Sequence, residues 1–148
     1  MAKDCLLLPH SGVDLQRIAK LTDTALAAGS GDASMPFFET CKALLEYRLG
    51  HFAEAIKWGE KPLDSSQSYA QAHAYAVLAM AHWQLDQKSE ARAMLAKGNE
   101  LAPQNMPSSI DENSQDALLA WLFARISLDE ATALFQPKST IDDNPNRP

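Results

Sequence analysis

A chain of 148 residues fits one domain, large enough to bury a core without disulfide or metal staples. Hydrophobic residues make up 46 %, alanine recurs and β-branched runs are rare, which favours close-packed helices over a sheet. The net charge of −6, with dispersed lysines and arginines, opposes a phosphate-backbone partner and excludes nucleic acid from the expected ligands.

In chain order, residues 1–12 read as an N-terminal extension ending in the turn chemistry of Pro9-His10-Ser11-Gly12. Its Leu6-Leu7-Leu8 run is far too short for a signal peptide, and no stretch approaches the ~18 apolar residues of a membrane span. A soluble cytoplasmic chain with no membrane contact is expected. From Val13 to Ala28 apolar residues recur at helical spacing, and Gly29-Ser30-Gly31-Asp32 stops that helix.

Ser34-Met35-Pro36 restarts the chain as N-cap and first turn. A hairpin is predicted over 36–62, turning at Gly50, weakened by Gly59 and ended by Pro62. A second is predicted over 68–102, with Asp86-Gln87 at its turn and Ala102-Pro103 as its stop. Ser109-x-x-Glu112 fits a capping box before a closing helix at 115–135, in which Leu118, Leu119, Leu122, Phe123, Ile126 and Leu134 form one apolar stripe. The helical domain thus spans 13–135. The tail 136–148, proline-rich and with almost no apolar mass, is expected to be disordered.

The two hairpins echo one another. Tyr47/Trp83, Leu49/Leu85, Gly50/Asp86, Glu54/Glu90 and Ala55/Ala91 are each 36 residues apart. A period near that length, with a helix on each side of a short turn, marks a helical repeat array. The expected fold is all-α: antiparallel hairpins stacked as a short right-handed superhelix of about six helices, capped by the leading and closing ones.

Residues 72–105 resemble the tetratricopeptide repeat: Tyr75-x₂-Leu78-Ala79-x₂-His82, then Ala91-x₃-Leu95, then Pro103. Residues 36–67 are a degenerate copy, with Glu39, Lys42, Glu46 and Gly59 where the family is apolar or aromatic. Three further stretches are Leu49-Gly50-His51-Phe52-Ala53-Glu54-Ala55, Ala91 to Gly98, and Trp121-Leu122-Phe123-Ala124-Arg125 followed by Asp129-Glu130-Ala131. Their combination is similar to C-terminal tetratricopeptide segments of bacterial eukaryotic-like serine/threonine kinases and β-propeller signalling proteins. Kinase motifs are absent from these residues, so the resemblance implies a detached interaction module or a C-terminal module of a signalling kinase, not an active kinase.

The resemblance also implies a ligand groove lined by the first helix of each hairpin. Its residues here are Phe37, Thr40, Leu44, Tyr47 and Arg48, then His73, Ala76, Met80, Trp83 and Gln84. Aromatics, a methionine and an arginine on one surface suit recognition of a peptide or partner domain. Thr40 and Leu44 stand where a carboxylate clamp needs lysine and asparagine, which argues against chaperone tails. The rival arrangement has the closing helix, or a second copy, covering these residues.

No catalytic, metal or cofactor site is expected. His10, His51, His73 and His82 lack ligand spacing, Cys5 and Cys41 form no framework, and no nucleophile elbow or phosphate loop occurs. The sequence therefore points to a non-enzymatic protein-binding module without cofactor, with homo-oligomerisation as the alternative.

Overall fold

The computed structural model describes residues 6–7, 12, 14–29, 33–105 and 115–136. Among these the fold is all-α: α1 (Leu15–Ala28), α2 (Met35–Arg48), α3 (Phe52–Glu60), α4 (Ser68–Gln84), α5 (Lys88–Asn105) and α6 (Gln115–Phe135). The expected capping box at Ser109 and the expected disordered tail, apart from Gln136, lie outside the described residues.

Local chemistry sets most boundaries. Asp14 caps α1 by accepting the amide of Gln16 at 2.9 Å, and Gly29 closes it by donating to the carbonyl of Ala25. Pro62 cannot continue α3, so the chain tightens there into a 3-10 turn over Lys61–Asp64. The side-chain amide of Gln71 reaches back to the turn and donates to the carbonyls of Leu63 and Ser65, at 2.9 and 2.7 Å. One boundary differs from expectation. Helix α5 runs through Pro103 to Asn105, because a proline in the last turn forfeits a single intrahelical bond where the ladder is ending anyway.

The 36-residue echo takes the same shape in both hairpins. Gly50 (φ +80°) and Asp86 (φ +62°) occupy the left-handed region just past the ends of α2 and α4. Each is followed by an amide that bonds back across the turn: His51 to the carbonyl of Glu46 and Gln87 to that of His82, both at 2.9 Å. These are paired Schellman closures. Glycine enters that conformation freely, whereas aspartate does so at a cost. Asp86→Gly should therefore raise stability by up to ~1 kcal/mol, and Gly50→Ala should lower it by about 1 kcal/mol, in urea titrations followed by circular dichroism. A shift of the same sign at both positions would show that the two turns are not equivalent.

Helix α4 is the axis of the stack. Its alanines, Val77, Leu78 and Met80 are buried on nearly every side, as for a helix apolar all round. Helices α3 and α5 pack behind it at glycines. A Cβ on Gly59 would lie 3.0 Å from Leu78, and one on Gly98 would lie 2.6 Å from Leu128 and 3.2 Å from Tyr75. Gly59, which weakens α3 by propensity, thus serves its packing. Helices α2, α4 and α6 run parallel. Tyr47 meets Gln84 at the C-terminal ends of the first two, and Trp83 meets Phe135 at the ends of the last two.

Candidate interaction surface

Helix α6 lies along the face of α4 on which the groove is expected. Trp121, Ala124 and Leu128 share an apolar cluster with Ala72, Ala76 and Ala102. Further along, Ala131 joins Leu44, Val77 and Met80. At the far end the Trp83 and Phe135 rings stack with centroids 4.2 Å apart and planes 18° from parallel, while the Lys88 ammonium sits 4.0 Å from the Trp83 centroid. Trp121 is 3 % exposed.

This packing buries five of the ten residues expected to line a groove. Thr40, Leu44, His73, Ala76 and Met80 are buried, the Thr40 hydroxyl donating to the carbonyl of Pro36 within its own helix. Phe37, Tyr47 and Trp83 are half-buried, Phe37 edge-on to Phe38 and Tyr47 against Phe52. Gln84 alone of the ten is exposed, its amide 3.4 Å from the Tyr47 hydroxyl. The physical reason is the apolar character of α6, which has far more to gain on the alanine-lined face of α4 than in water.

Arg48, expected to face a ligand, is a structural tie. Its Nη1 and Nη2 meet the two carboxylate oxygens of Glu130 at 2.5 and 2.6 Å, a bidentate pair linking α2 to α6. Its Nε donates to the carbonyl of Leu6 at 2.9 Å, and Nη2 to that of Leu7 at 3.3 Å. Leu6 is fully buried and so contributes to the core.

A second charge network joins α1 to the first hairpin: Lys42 contacts Asp23 at 2.8 Å and Glu46 at 3.1 Å, and Glu46 contacts His51 at 2.8 Å. Burial opposes the Lys42 charge, but its hydrogen bonds to those two carboxylates outweigh it and hold the ammonium above its ordinary pKa. Burial likewise raises the phenols of Tyr47 and Tyr69; at Tyr47 the Glu130 charge adds to it, while Gln84 and Arg48 oppose it. All three groups keep their protons to higher pH in the folded chain than in the unfolded one. Their contribution is therefore present below pH ~10 and declines as pH rises through their folded values. The melting temperature should fall above pH ~10, and less steeply in Tyr47→Phe; an identical fall in that variant would contradict this origin.

Among the described residues, three of the exposed large apolar side chains line up on the other side of α6. Leu119, Leu122 and Ile126 are 50 %, 42 % and 41 % exposed at i, i+3, i+7 spacing, one helical seam. The Arg125–Asp129 pair flanks it at 3.2 Å. The single apolar stripe expected for this helix is thus two: Trp121, Ala124, Leu128 and Ala131 face inward, and Leu119, Leu122 and Ile126 face out. The double set of i, i+3, i+7 spacings is the sequence signal for this. A shallow pocket of about 240 Å³ between α4 and α5 is lined by Gln71, Tyr75, Lys97, Glu100 and Leu101.

Among the described residues no helix is long and apolar enough to cross a membrane, and no cluster of three or more His, Cys, Asp or Glu side chains could hold a metal ion. Compared with protein-family models, curated proteins and solved structures, the chain matches none.

Proposed function

We propose that this chain is a non-catalytic, cytoplasmic protein–protein interaction module of the tetratricopeptide type, and that its working surface is the outer seam of α6. The observation that carries this reading is the exposure of Leu119, Leu122 and Ile126 in one row at the end of the stack. In a hairpin array the next helices along the chain cover each first helix, and terminal faces need a polar cap. Here the last face is apolar. A seam of this width, on a chain of net charge −6, suits an amphipathic partner helix with basic flanks.

Replacing Leu119, Leu122 and Ile126 together by Gln removes little buried area. The melting temperature should stay within a few degrees of the parent, while capture of a specific protein from the source lysate is lost. Tyr47→Ala with Trp83→Ala should instead cost stability. Equal capture by the seam variant and the parent would contradict the proposal. The same seam supports a second reading, pairing of α6 with α6 of another copy. Light scattering decides between the two, because that reading requires a dimer that the seam variant dissolves.

A further inference from the structure

We draw no further inference here: the strongest candidate, the shallow pocket between α4 and α5 lined by Gln71, Tyr75, Lys97, Glu100 and Leu101, is an open surface hollow in which none of the polar side chains is buried, so nothing in the structure points to a ligand there.

Discussion

Trp121→Ala should lower the unfolding free energy by about 3–5 kcal/mol, the largest effect expected from any single substitution in this chain. Trp121 is 3 % exposed and clusters with Ala72, Ala76, Ala102, Ala124 and Leu128. Most of these neighbours are alanines, whose side chains cannot swing into a vacated space. The cavity would persist, and its cost adds to the lost burial of the indole. Against a typical total of ~5–15 kcal/mol, such a loss is a large share of the stability. It should shift the melting temperature down by roughly 6–20 °C. Trp121→Phe, which keeps much of the ring volume, should lose less than half as much. Urea titration followed by circular dichroism reads both, and a loss below ~1 kcal/mol for the alanine variant would mean that α6 does not seat on α4 through this residue.

Arg48→Ala comes second, at about 2–4 kcal/mol. The side chain of Arg48 is 10 % exposed and that of Glu130 is 20 % exposed, so deletion strands a largely desolvated carboxylate without its cation. It also removes the donor to the carbonyls of Leu6 and Leu7. Arg48→Lys should recover only part of the loss, because one ammonium cannot present two parallel N–H groups to Glu130 while reaching two carbonyls. Full recovery with lysine would show that charge alone matters here and that the forked geometry does not.

Much of the architecture is legible in the residues, and the reason is local. Gly50 and Asp86 announce two equivalent turns because left-handed backbone is confined to few residue types. The mass of leucine, alanine and aromatic side chains between Leu118 and Phe135 announces one continuous helix. The groove is not legible in the same way, because orientation is not a local property. Helices α4 and α6 carry apolar side chains around most of their circumference, so periodicity does not say which face meets which. Arg48 reads as a free groove cation because its partner, Glu130, lies 82 residues away in sequence. The leucine run near the N-terminus is visible, but nothing near it in sequence says that the carbonyls of Leu6 and Leu7 meet Arg48 of α2. Pro103 misleads in the opposite sense: a strong local stop is overridden at a helix end, where its cost is smallest.

The packing of α6 on α4 with its tie to α2, the central claim for this fold, is tested most directly by a double-mutant cycle. Arg48→Ala, Glu130→Ala and the double variant are unfolded in urea alongside the parent. Contact between α2 and α6 through this pair predicts a coupling energy of about 1.5 kcal/mol or more, because each single deletion already destroys the shared interaction. Single losses that simply add, to within ~0.3–0.5 kcal/mol, would place Glu130 away from Arg48 and contradict the tie between α2 and α6.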